Sequence, residues 1–191
     1  MNHPLTAKPL PTVCAARSAR RQRGVTMLES LIAVTVTAVA LGAALPGFEQ
    51  ARELRHIEGA AAQLETDIMY TRSLAVAQDR SLRMHFRSDA GGTCYVVHTG
   101  VAGACQCTGG GATHCAPGTM VLRSVHFEAQ GPVAVRSNVG SMLFHPVHGT
   151  STPTGTLRVI AKGGATIHHV VNIMGRVRSC SPTGLSGYAS C

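Results

Sequence analysis

The sequence predicts an α+β fold, one long N-terminal helix packed on an antiparallel β-sheet head. Three observations predict it. An apolar run from Val25 to Phe48 leads into residues spaced three and four apart, Leu54, Ile57, Ala61, Leu64, Ile68 and Ala75, the pattern of a one-sided helix. From Leu82 the period falls to two, in short β-rich runs. Clusters of Gly, Pro, Ser and Thr, the residues that make turns, separate those runs.

Taken in order, residues 1–24 are polar, contain proline and show no periodicity. They read as a disposable leader. Lys8, Arg17, Arg20, Arg21 and Arg23 carry positive charge there, with no acid. Basic residues before an apolar run hold that end in the cytoplasm and send the C-terminus across the membrane. The run 25–48 is about 36 Å long as a helix at ~1.5 Å per residue, enough to span a bilayer core. Its only charged residue is Glu29, and a lone carboxylate in such a segment needs a partner. Pro46-Gly47 predicts a bend or local opening near the end of the span. Residues 49–79 form the amphipathic half of the same helix, polar enough to lie outside the membrane.

The head comprises residues 80–191. Leu82–Phe86, Tyr95–His98, Val121–Phe127, Met142–His145, Thr156–Ile160 and Ile167–Ile173 read as strands of one antiparallel sheet, with the helix on one face. The stretch 100–118 is rich in Gly and Cys and lacks a period, so it reads as a long loop tied by disulfides.

The sequence has 191 residues, a formal net charge of +8, no Trp and 7 Cys. Cys14 lies in the leader. Cys94, Cys105, Cys107, Cys115, Cys180 and Cys191 remain, an even set that reads as disulfides formed in an oxidising compartment. Spacing does not choose among their pairings, although Cys180–Cys191 would close a short Ser/Gly/Pro loop. A zinc reading of Cys105, Cys107, His114 and Cys115 fits no standard ligand spacing, and His168 and His169 fall on opposite faces of one strand. No metal or cofactor is implied. The histidines lack a nucleophile, a paired carboxylate set or a phosphate loop, so no catalytic residue is assigned and the chain reads as a non-enzyme. Within residues 121–191, Arg123, Arg136, Arg158, Lys162, Arg176 and Arg178 face Glu128 alone, an imbalance that suits an anionic partner or a plain solvated face.

Gly24-Val25-Thr26-Met27-Leu28-Glu29 before the apolar run resembles the class III signal of type IV pilins and type II secretion pseudopilins. The residue after the glycine is usually Phe in that family and is Val25 here. The resemblance implies a type IV pilin fold, cleavage after Gly24 by a prepilin peptidase and methylation of the new N-terminus at Val25. It also implies an inner-membrane single pass with a periplasmic head, followed by entry into a filament. There Glu29 would neutralise the N-terminal ammonium of a neighbouring subunit, and other pilins or pseudopilins would be partners through the N-terminal helix.

Met69–Ala77, Leu143–Thr150, Gly155–Val159 and Val171–Arg178 are similar to the corresponding stretches of GspH/FimT-type minor pilins. Gly175-Arg176-Val177-Arg178 matches a Gly-Arg-x-Arg motif that FimT members associate with DNA binding in natural transformation. Arg-x-Arg on a strand would point both guanidiniums to one face, where paired forks suit phosphate oxygens of double-stranded DNA. Arg158 and Lys162 would extend the patch, and Arg136 is a further candidate. With few aromatics, stacking on bases is not expected to dominate. The alternative is a GspH-like pseudopilin or structural minor pilin that primes or caps a filament and binds no DNA.

Overall fold

The computed structural model describes residues 26–191; the leader, Gly24 and Val25 lie outside them. Helix α1 spans Met27–Ala77. It starts because Thr26 caps it: the Thr26 Oγ1 accepts the Glu29 backbone N–H at 3.3 Å. This puts Glu29 in the first turn, where the helix dipole favours an acid. Thr35 and Thr37 donate their hydroxyls back to Leu31, Ile32 and Ala33 carbonyls, so these polar groups of the apolar half are satisfied within the helix itself. The helix runs on through Pro46-Gly47 without an opening. One missing N–H removes a single bond from a cooperative ladder.

In the second half of α1, Ile57, Ala61, Leu64, Ile68 and Ala75 are fully buried and Leu54 packs beside them. Burying each of the larger side chains contributes about 2 kcal/mol. They face strands of two sheets, not one. The first sheet has the order β5-β2-β1-β7-β8, from β1 (Leu82–Asp89), β2 (Gly92–Thr99), β5 (Val121–Glu128), β7 (Ser141–Phe144) and β8 (Ser151–Thr152). The second has the order β12-β11-β10-β9-β6, from β6 (Val133–Ser137), β9 (Gly155–Ala161), β10 (Thr166–Val171), β11 (Val177–Ser181) and β12 (Ala189–Ser190). All pairs are antiparallel except β11 with β12. Met84, Tyr95 and Val97 from the first sheet share one core with Val135, Leu157, Val159 and Ile167 from the second.

The expected long loop at 100–118 contains a hairpin, β3 (Cys105–Cys107) and β4 (Thr113–Cys115). Strands this short carry no readable period. Disulfides Cys94–Cys107 and Cys105–Cys115 staple the hairpin to β2 and to itself. Cys94 and Val96, on the side of β2 turned away from the main core, are covered by Cys105 and Cys107, so β2 is buried along its whole length. Asp89 fixes the hairpin tip, accepting N–H groups of Gly91 at 2.8 Å and Gly109 at 3.1 Å. Those bonds, the Gly109 one foremost, hold its carboxyl below the usual range.

Candidate functional site

The outer face of the second sheet is where basic residues converge. Strands β6, β9 and β10 alternate buried and exposed positions, so one parity points to solvent. Register puts Arg136 directly opposite Arg158, and Arg158 directly opposite His168. Arg178 lies opposite Val170, which lies opposite Thr156, so the Arg158 and Arg178 Cα atoms are roughly 12 Å apart by strand spacing and rise. Arg136, Arg158, Arg176 and Arg178 are all exposed, and none makes a salt bridge among the described residues. Burial first, then the Arg158 charge, holds the His168 pKa below its ordinary value, so near neutral pH the charge of this face comes from arginine.

Two expectations need correcting. Arg176 is not on a strand; β11 starts at Val177. Arg176 ends the β10–β11 turn, with its N–H bonded to Asn172 Oδ1 at 3.0 Å and its carbonyl accepting the Asn172 N–H at 3.1 Å. Both arginines of the motif are nevertheless solvent-facing. Lys162 does not extend this face. It lies in the β9–β10 turn, at the opposite end of β10, in a cleft shared with Glu49 and Glu53, and the Glu53 carboxylate accepts the neighbouring Gly163 N–H.

Gly175 is buried with φ of 68°. A Cβ there would overlap the Gly149 carbonyl oxygen and sit 2.8 Å from Arg72 Cδ. Arg72 Nε donates to that same carbonyl at 3.1 Å. So Arg72, from α1, is packed against both the β7–β8 loop and the turn that presents Arg176. Arg72 carried no signal in the sequence beyond being a basic residue on the polar side of a helix.

Two partly buried polar networks lock α1 to the sheets, and neither left a signal in the sequence. Asp67 is 3% exposed; its Oδ2 accepts the Tyr95 hydroxyl at 2.6 Å and pairs with Arg123 Nε at 2.8 Å. Burial, then the Asp67 contact, pushes the Tyr95 pKa far up, so the phenol stays protonated and donates. On the second sheet, Ser179 donates to Glu65 Oε2 at 3.0 Å and lies 2.8 Å from His169 Nδ1. Since the Ser179 proton is spent on Glu65, His169 Nδ1–H must be the donor to Ser179. Its Nε2 is buried with no hydrogen-bond partner among the described residues. Burial lowers the His169 pKa, opposed by the Glu65 charge. The Ser, His and Glu form a bridge between α1 and the second sheet.

Cys180 is bonded to Cys191. The grouping of His168 with these two sulfurs therefore offers no thiolate pair for a metal. Glu29 is exposed in the isolated chain. A long helix, apolar at its start, leading into a disulfide-stapled antiparallel head is the build of a pilin-like subunit.

A family model described as type II transport protein GspH matches residues 60–175, more than half of the chain, and one described as prokaryotic N-terminal methylation motif matches residues 19–45. The chain belongs to the GspH family and carries the N-terminal methylation motif of pilins and pseudopilins. Among solved structures it is similar to the type IV minor pilin FimU of Pseudomonas aeruginosa strain PAO1 in two crystal forms, each with a TM-score of 0.46. Identity is 20% and 21%, with 66% and 64% of this chain covered and 89% and 90% of that one. No curated protein matches.

Proposed function

We propose that this pilin-like chain is a FimT-like minor type IV pilin that binds extracellular double-stranded DNA, without sequence preference, for uptake in natural transformation. One observation carries the reading: Arg136 stands directly opposite Arg158, and among the described residues no carboxylate pairs with either. Like charges directly opposite on a sheet are destabilising, and a polyanion lying across the face removes that cost. Arg178 continues the same face and Arg176 stands exposed in the turn just before it, and arginine forks suit backbone phosphates. In the assembly, a prepilin peptidase removes residues 1–24 and methylates Val25. Helix α1 anchors the subunit in the inner membrane with the head in the periplasm. On entry to the filament, Glu29 meets the N-terminal ammonium of a neighbouring pilin.

A second reading is a pseudopilin or structural minor pilin that binds no DNA. In its favour, the GspH match ends at residue 175, so Arg176 and Arg178 lie beyond it. Retardation of duplex DNA at low salt separates the two, with residues 50–191 and the Arg176→Ala/Arg178→Ala variant. The fragment keeps every residue of the main core. The parent should bind and the variant should bind weakly. Binding that the double variant leaves intact overturns the role of Arg176 and Arg178, and absence of binding by the parent leaves the pseudopilin reading.

A further inference from the structure

A cleft of about 680 Å³ opens between α1 and the β10–β11 turn. Thr66, Met69, Tyr70 and Ser73 line it from one helix face, and Arg72 and Arg176 also border it. No carboxylate belongs to its lining. Arg72 is held from behind by the Nε–Gly149 bond and by contact of its stem with the glycines at 149 and 175. Its two terminal nitrogens make no hydrogen bond among the described residues, so they remain free donors at the cleft, and such a fork suits phosphate oxygens. Tyr70 is 49% exposed and Met69 50%. Apart from Phe48, Tyr70 is the one exposed large aromatic side chain among the described residues, and it lines the same cleft as Arg72 and Arg176.

We propose that this cleft takes an unpaired nucleotide of a DNA strand, with Arg72 and Arg176 on its phosphate and Tyr70 stacked on its base. The inference rests on the DNA-binding reading above and deepens it. Arg176 borders the cleft and stands two residues before Arg178 of the arginine face, so a strand leaving a duplex on that face has a short path to the cleft. A duplex keeps its bases stacked and paired and cannot use Tyr70; a frayed end or single-stranded tail can. A protein partner fits less well. The cationic, hydroxyl-bearing lining has no acid to meet the basic groups of a partner, and a mostly apolar one would leave Arg72 unpaired.

The test uses the full chain in detergent with two probes, a blunt duplex and the same duplex carrying an oligo-dT tail. The parent should bind the tailed probe more tightly. Tyr70→Ala should remove that preference, a loss of about 5- to 100-fold on the tailed probe, and leave the blunt duplex unchanged. Tyr70→Phe should restore it. A bromodeoxyuridine tail should crosslink to Tyr70, and Arg72→Gln should weaken tail binding. If the parent binds both probes equally, or Tyr70→Ala changes neither, the cleft proposal is overturned while duplex binding stands. If Tyr70→Ala instead blocks co-assembly with other pilins and spares the tail, the cleft is a protein contact and the proposal is again overturned. If the parent binds neither probe, the DNA reading itself fails and this inference with it.

Discussion

Replacing Gly175 by alanine should destabilise the head by about 3 kcal/mol, and the structure separates that figure into two causes. The backbone at 175 has φ of 68°, which costs a residue with a Cβ about 1 kcal/mol. The new Cβ would also overlap the Gly149 carbonyl and crowd Arg72, whose Cδ and Nε lie 2.8 and 2.9 Å away. Relieving the overlap shifts the Gly149 carbonyl, in a loop held by the Gly149 N–H to His145 carbonyl bond at 2.9 Å, and parts that carbonyl from Arg72 Nε. Losing its charged hydrogen bond costs roughly another 2 kcal/mol. Gly184 supplies the control: its φ is 71°, but a Cβ there meets nothing within 4 Å. Gly184→Ala should therefore cost only the backbone part, about 1 kcal/mol. Urea unfolding of residues 50–191, followed by circular dichroism, measures both variants against the parent at constant m-value. Equal losses at the two positions, or no loss at 175, would refute the packing of Arg72 between the two turns.

Four further outcomes follow from the geometry. Asp67→Ala leaves the Tyr95 hydroxyl buried and unpaired and should cost more than Tyr95→Phe, about 3 against about 1 kcal/mol; the reverse order in urea melts would count against the clamp. The pKa values of His98 and His169 are lowered from 6.5, chiefly by burial, so as pH falls through that value the unfolded chain takes protons that the folded chain refuses. Stability is then lost, by about 1 kcal/mol or more between pH 7.5 and 5.5, and a flat urea midpoint across that window would contradict it. Cys180→Ser/Cys191→Ser opens a loop with a sequence separation of 11 and should cost about 2–3 kcal/mol, measured by thermal unfolding under oxidising conditions. If the arginine face binds duplex DNA, the slope of log K against log salt should fall in magnitude by about 2 in Arg176→Ala/Arg178→Ala; an unchanged slope would place the phosphate contacts elsewhere.

Much of the fold was legible because single elements carry their own period. Residues Ile57, Ala61, Leu64, Ile68 and Ala75 recur at helical spacing since each one is buried. Strands β1, β9 and β10 alternate because each has one face in the core. Strand β2 breaks the alternation, for a hairpin covers the face that would otherwise be wet. That hairpin and the short β6 and β12 leave too few residues for a period to appear. The site was legible only in part. Arg158, Arg176 and Arg178 stood out as charge, but their relation to Arg136 depends on register between strands. Register between β6 and β9, like the meeting of Asp67 with Tyr95 and of Arg72 with Gly149, is a product of tertiary packing and leaves no local trace.

The cover over β2 also sets an order of events. Its far side, Cys94 and Val96, is closed by Cys105 and Cys107 of a hairpin that two sulfur–sulfur bonds hold in place. The hairpin is too short to hold itself by backbone bonds alone. A chain whose thiols stay reduced would therefore carry a finished inner core and an unfinished outer one, with Val96 bare. The completed head is thus a chemical product as much as a folded one, and oxidation becomes a checkpoint: a subunit that has not passed it presents a sticky strand in place of a sealed surface.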